Sequence, residues 1–165
     1  MNNNNTSNRY FPASNDFDLS QFPFYGISRL EALYNLEIEK NLKTIGLNAS
    51  RWRVCLLLHT HKSLSISDIA KETLGKIPTI TKMVYHMQNE GLVDIEISRA
   101  DARVRMVSLT PKGKQKVNDI LTTTHPLLNA IFTDISDQDI EQLNHLIYRL
   151  FDNLNQYRQP CYQHG

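Results

Sequence analysis

Two short alternating runs, LVDIEI and VRMVSL, flank the turn-rich SRADAR within residues 92–109. Apolar and polar residues that alternate one by one have the period of a half-buried strand, so this segment predicts a two-stranded antiparallel ribbon. Helical periodicity dominates the rest of the 165 residues: four helices are predicted before the ribbon and two after it. The chain is therefore expected to be mainly α with a small β-hairpin wing.

The first helix spans residues 23–45, where Ile27, Leu30, Tyr34, Ile38, Leu42 and Ile45 recur at three- and four-residue steps before Gly46 stops it. A second, over residues 48–60, carries Val54, Cys55, Leu56, Leu57 and Leu58 and should form the centre of the core. Ser65 and Asp68 have capping-box spacing and open a third helix, with Ile69, Ala70 and Leu74 as its inner face, ending at Gly75. KIPTITKMVYHMQNEG reads as a fourth, with Pro78 in the first turn and Gly91 as a left-handed stop. Thr110 and Pro111 supply an N-cap and a first-turn proline for a fifth helix through Phe132, with Pro126 inside it; Ser136 and Asp139 open a sixth, striped by Ile140, Leu143, Ile147, Leu150, Phe151 and Leu154. The layout is a polar, loose tail over residues 1–20, a single unit over 21–157 and a short tail over 158–165. Within the unit, residues 48–110 form a winged helix-turn-helix, while 23–45 and 111–157 form dimerisation helices.

Short helix, turn, helix and a basic-tipped hairpin is the order of a DNA-reading module. The net charge of +1 hides an asymmetry. Residues 60–116 carry ten Lys/Arg against six Asp/Glu, leaving eight against eleven in the flanks, so the middle attracts a polyanion. On the fourth helix, Ile77, Ile80, Val84 and Met87 form an inner side, and Thr79, Lys82 and His86 lie opposite. Lys76 and Thr79 are placed to reach base edges or phosphates, and Thr81 and Lys82 to hold the backbone. Ser65, at the start of the third helix, completes the DNA-facing set. In the hairpin, Arg99, Arg103 and Arg105 suit a narrow, electronegative minor groove. Asp101 would repel phosphate; its expected role is to pair with Arg103 or another nearby arginine and fix the tip.

The stretch GLVDIEISRADARVRMVSLTPKG, with its Asp-x-Arg wing and following Leu-Thr-Pro-x-Gly, together with LNASRWRVCLLL, resembles the multiple-antibiotic-resistance-regulator (MarR) family of bacterial transcription factors. The resemblance extends from about residue 23 to 154, and the wing is its most specific part. One departure is Gly75-Lys76-Ile77-Pro78, where many relatives carry a polar Ser or Arg before the proline. The resemblance implies a homodimer on a palindromic double-stranded operator, released by a small phenolic or aromatic acid such as a hydroxycinnamate or benzoate.

Two further expectations rest on the residues themselves. The first and sixth helices carry apolar stripes larger than a small winged-helix core can cover, which marks an interface with each other and with a second copy. Arg29 and Arg53, with Arg51 as a further candidate and Tyr25, Ser28, Trp52 and His59 nearby in sequence, supply a carboxylate-and-ring site where the first two helices approach the winged helix; the competing reading has Arg29 and Arg53 in structural ion pairs with acids such as Glu31 or Glu37 and Trp52 in the core. Alternatives to a DNA-binding repressor are a winged-helix protein-interaction module, which would lack steep salt dependence, and a thiol-oxidation sensor using Cys55, which would need an exposed thiol of low pKa. Cys55 and Cys161 make no disulfide framework, and the six histidines have no metal-ligand spacing. No nucleophile motif, phosphate loop or dinucleotide fingerprint occurs, so neither an enzyme nor a cofactor is expected. Without a membrane-length apolar run or a secretory h-region, the chain reads as cytoplasmic.

Overall fold

The computed structural model describes residues 8–158. Its elements are α1 (Pro23–Lys43), α2 (Ala49–His61), β1 (Ser63–Ser65), α3 (Ile66–Glu72), α4 (Ile77–Asn89), β2 (Val93–Ile97), β3 (Arg105–Leu109), α5 (Pro111–Ile131) and α6 (Asp137–Arg158). Two compact units divide the chain, residues 1–125 and 126–165, and the boundary falls inside α5 at Pro126. Cys161, His164 and the rest of the expected C-terminal tail beyond Arg158 lie outside the described residues.

In the first unit, helix starts are fixed by local hydrogen bonds that satisfy orphan amides. Asn48 Oδ1 accepts from the Arg51 amide at 3.0 Å, and Ser65 Oγ accepts from the Asp68 amide at 3.0 Å. Pro23 and Pro78 sit in the first turns of α1 and α4, where their missing N–H costs nothing. The ribbon predicted from alternation is part of a three-stranded antiparallel sheet ordered β1-β3-β2. Val93 faces Leu109 and Ile97 faces Arg105 across β2 and β3, while Ser63 faces Ser108 across β1 and β3. β1 carries no strand signal in the sequence: three residues show no period, and its partner lies far along the chain.

α2 runs through the middle of the core, where Val54, Cys55 and Leu58 are buried with Ile38 and Leu42 of α1, Ile69 of α3, Val84 and Met87 of α4, Val107 of β3, and Val117 and Ile120 of α5. Fully burying such a side chain stabilises by about 1.5–3 kcal/mol. Two expected inner residues are outside. Ile77 is 54% exposed because it is the first residue of α4 and lies at the edge of the arc that Ile80, Val84 and Met87 turn inward. Leu74 is 67% exposed at φ 52, since the chain has already left α3 for the turn into α4. The described part of the N-terminal segment, expected to be loose, forms two 3-10 turns, Asn8–Tyr10 and Leu19–Gln21, joined by a bond from the Asp18 amide to the Arg9 carbonyl.

α4 ends in a left-handed stop: Gly91 has φ 73, and the Gly91 and Leu92 amides return to the carbonyls of Gln88 and Met87. α5 begins directly against this turn. Thr110 Oγ1 donates to the Gly91 carbonyl at 2.7 Å and accepts from the Gly113 amide at 2.9 Å. Gly113 approaches so closely that a Cβ there would stand 2.0 Å from the Leu92 carbonyl oxygen.

In the second unit, Ser136 and Asp139 form a reciprocal cap at the start of α6, and their hydrogen bonds hold the Asp139 carboxyl below its ordinary range. α6 buries no residue; Leu143, Ile147, Leu150, Phe151 and Leu154 are all exposed. No helix among the described residues is long and apolar enough to cross a membrane.

The approach of Gly113 to Leu92 yields the first prediction. Gly113→Ala should lower stability in urea unfolding by about 3 kcal/mol, the upper end of the overpacking range, because the obstructing atom is backbone. A variant of unchanged midpoint would show that α5 can shift outward freely.

Candidate nucleic-acid interface

The α3–turn–α4 segment presents its outer side through residues spaced along one row of α4. Thr79, Lys82, His86 and Asn89 are exposed, spaced at three- and four-residue steps opposite the buried Ile80, Val84 and Met87. Lys76 is exposed at the N-cap of α4. Two other members of the expected DNA-facing set use their hydroxyls elsewhere. Ser65 is buried and donates to Asp68 Oδ2 at 2.6 Å while capping α3, and Thr81 donates to the Ile77 carbonyl at 2.8 Å.

The wing tip is built by short-range bonds. The Ser98 amide donates to the Val104 carbonyl, and the Val104 amide to the Asp101 carbonyl, both at 2.9 Å. Asp101 Oδ1 accepts from the Arg103 amide at 2.9 Å and from Arg103 Nε at 3.3 Å. The expected Asp101–Arg103 pairing is therefore the geometry present. It fixes the base of a side chain that is 92% exposed, with its guanidinium ends facing water. Arg105 donates to the Ala102 carbonyl at 2.9 Å, closing the tip from the other side, and Arg99 is exposed beside it.

Sequence reasoning missed a contact between α2 and α4. Arg51 grips Glu90 with two bonds, Nη1 to Oε2 at 2.9 Å and Nη2 to Oε1 at 3.1 Å, and the same Nη2 lies 3.0 Å from His86 Nδ1. Thirty-nine positions separate Arg51 from Glu90, so no local pattern announces the pair. Arg51, a candidate for a ligand site on sequence grounds, points instead to the end of α4.

The six expected ligand residues fall in different places. Trp52 is buried in the core. Arg29 stacks over the Tyr25 ring at 5.4 Å and lines an open groove of about 520 Å³ along α1 with Leu30, Ala32, Leu33 and Leu36. Ser28 is exposed on the same helix. Arg53 donates to Asn35 Oδ1 at 3.0 Å and lies 3.9 Å from Glu31, so one of the competing ion pairs is present in a loose form. Glu37 pairs with Lys40 instead. His59 lines a separate cavity of about 560 Å³ with Leu58, Lys62, Ser108, Leu109, Lys114 and Asn118.

Cys55 is fully buried, and burial pushes its thiol up to about 11 although the nearby Arg51 charge pulls the other way. A protonated, enclosed thiol is a poor oxidation sensor. Among the described residues, no group of three or more metal-ligating side chains comes together.

An exposed row on the second helix of a helix-turn-helix, beside a three-stranded sheet whose hairpin carries arginines, defines a winged-helix nucleic-acid-binding protein. Residues 47–104 match the model of the MarR family. The chain is 36% identical over 143 residues, 87% of its own length and 86% of the relative's, to the HTH-type transcriptional repressor IacR of Pseudomonas putida. Among solved structures, a MarR-family transcriptional regulator from Silicibacter pomeroyi shares the fold with a TM-score of 0.74 at 20% identity, covering 82% of this chain and 92% of that one. A MarR mutant from E. coli complexed with operator DNA shares it with a TM-score of 0.63 at 15% identity, covering 76% and 93%. The chain belongs to the MarR family: it is a DNA-binding transcriptional regulator, and its relatives are regulators rather than enzymes.

The tip geometry predicts a counterintuitive outcome. Asp101→Ala removes a negative charge from the wing yet should weaken DNA binding, because Arg103 loses the carboxylate that fixes its backbone and Nε. Fluorescence anisotropy on a DNA duplex selected by the wild-type protein would measure it, and tighter binding by the variant would reduce Asp101 to simple repulsion.

Proposed function

We propose that the protein is a cytoplasmic, homodimeric repressor that holds a palindromic operator and releases it on binding a small aromatic carboxylate. The observation that carries the DNA reading is the shared exposure of Lys76, Thr79, Lys82 and His86 on α4 and of Arg99 and Arg103 at the wing, with Arg105 at its base. In this reading α4 enters the major groove, the wing arginines enter the adjacent minor groove, and Lys82 neutralises a phosphate. Ser65 and Thr81, whose hydroxyls are engaged, contribute by shaping the backbone of the helix-turn-helix. Repression is the role of the IacR relative.

Dimerisation is supported by apolar surface the single chain leaves uncovered. Ile27, Leu30, Leu33 and Leu36 of α1 and Leu143, Ile147, Leu150, Phe151 and Leu154 of α6 are each 39% exposed or more. Stripes of this kind mark interfaces, and two copies related by a two-fold axis match a palindrome. The protein should sediment at twice its chain mass, and removing residues 136–165 should give aggregated or unfolded material. A full-length protein that sediments at the mass of one chain would exclude the dimer.

For the effector, the supporting group is Arg53. Its guanidinium is anchored by Asn35 and only loosely approached by Glu31, leaving N–H groups for a carboxylate at the α1–α2 junction. Arg29, Tyr25 and Ser28 stand further toward the start of α1, Trp52 backs α2 from the core, and His59 belongs to another cavity. A ligand that releases DNA must favour the DNA-incompetent dimer, and a difference of about 1–3 kcal/mol gives a 5–150-fold effect. Linkage then requires DNA to weaken the ligand by the same factor. Calorimetric titration of a benzoate or hydroxycinnamate with and without the selected duplex tests this; equal affinities would remove the sensor while leaving the DNA-binding activity in place.

A further inference from the structure

The cluster of Arg51, Glu90 and His86 contains more information than an ion pair. Arg51 is held on two sides: both ends of its guanidinium meet the Glu90 carboxylate, and its side chain is only 15% exposed. Nη2 carries two hydrogens. One is directed at Glu90 Oε1, and His86 Nδ1 at 3.0 Å receives the other. A guanidinium never accepts a hydrogen bond, so the imidazole nitrogen facing it must present its lone pair. Glu90 Oε1 stands 3.1 Å from the same nitrogen and would accept from it in the Nδ1–H form; the Arg51 contact, at 3.0 Å and of hydrogen-bond geometry, is the one that calls for the lone pair. In a neutral imidazole the proton then resides on Nε2. His86 has no other partner among the described residues, its side chain is 61% exposed, and it lies in the same row as Thr79 and Lys82.

We propose that Arg51 and Glu90 are positioning residues that lock His86 as the Nε2–H tautomer, so that this nitrogen donates a hydrogen bond to an acceptor on the operator. The proposal rests on reading the exposed row of α4 as the DNA-facing side. The acceptor is a purine N7, a guanine O6, a thymine O4 or a phosphate oxygen, all of which accept and none of which donates. Preorganisation is the gain. A free imidazole exchanges tautomers and rotates, and part of the binding energy would be spent on fixing it; here α2 has already done so from behind.

The test uses the full-length protein and a duplex selected from a randomised pool by the wild type. Nitrogen-15 spectra of the imidazoles in the free protein should show Nε2 protonated and Nδ1 bare at His86. The Nδ1–H form would overturn the proposal without any variant having to fold. His86→Ala should weaken the duplex roughly five- to tenfold, the size of one hydrogen bond. Arg51→Ala and Glu90→Gln should each weaken it in the wild-type background and have much less effect in the His86→Ala background. Equal losses in both backgrounds would make Arg51 and Glu90 merely structural and sink the idea. Repeating the titrations on duplexes with single base-pair changes or 7-deazapurines identifies the acceptor: a loss confined to one position per half-site assigns it to a base, and a uniform loss assigns it to the backbone. Lys82→Ala separates the two levels of inference. If Lys82→Ala weakens binding and His86→Ala does not, the tautomer proposal alone fails; if neither matters, the reading of α4 fails with it.

Discussion

The turn at residues 90–92 is the joint on which the DNA-binding unit depends. Four separate groups converge there: Arg51 from α2 on the Glu90 carboxylate, Lys112 on the Glu90 carbonyl at 2.8 Å, Thr110 on the Gly91 carbonyl, and the bare Cα of Gly113 against the Leu92 carbonyl. The last carbonyls of a helix have no partner within it, and here the start of α5 and its lysine supply those partners. α4, β2 and α5 are consequently fixed to one another at a single point, and the angle at which α4 stands out from the sheet is set there. Lys116, one turn further along α5, reaches the Ile45 carbonyl at 2.9 Å and ties the α1–α2 turn to the same helix.

Much of this was legible in the sequence because it is written in short-range chemistry. Asn48, Ser65, Thr110 and Ser136 cap helices with bonds to residues three positions on, and Gly91 sits where a left-handed stop is needed. The Asp101–Arg103 pair spans two positions, so its geometry follows from the tip sequence itself. What stayed hidden is long-range. β1 becomes a strand only when Ser63 meets Ser108, and Arg51 acquires its role only when Glu90 is brought to it. The expected ligand set dispersed for the same reason: helical neighbours in sequence, such as Trp52 and Arg53, are turned about 100° apart, so one enters the core and the other the surface.

The two ends of the chain tell a related story about hydrophobic pattern. Periodicity places the stripes of α1 and α6 correctly but does not say what covers them. Within the chain, α1 turns Ile38 and Leu42 inward, while Leu30, Leu33 and Leu36 stay out. The inward residues lie in its last two turns, against α2, so α1 divides along its length into a half that belongs to the core and a half whose leucines stay exposed.

The bonds that shape the wing have a consequence for its thermodynamics. Every bond described at the tip closes between residues 98 and 105, none further than six positions apart. A loop tied by its own neighbours has little conformational freedom left to surrender when it meets a groove, whereas a loose arginine-bearing loop loses entropy on ordering. The association should accordingly derive less of its temperature dependence from ordering the wing and more from ion release at the phosphates, making salt rather than heat the sharper lever on DNA occupancy.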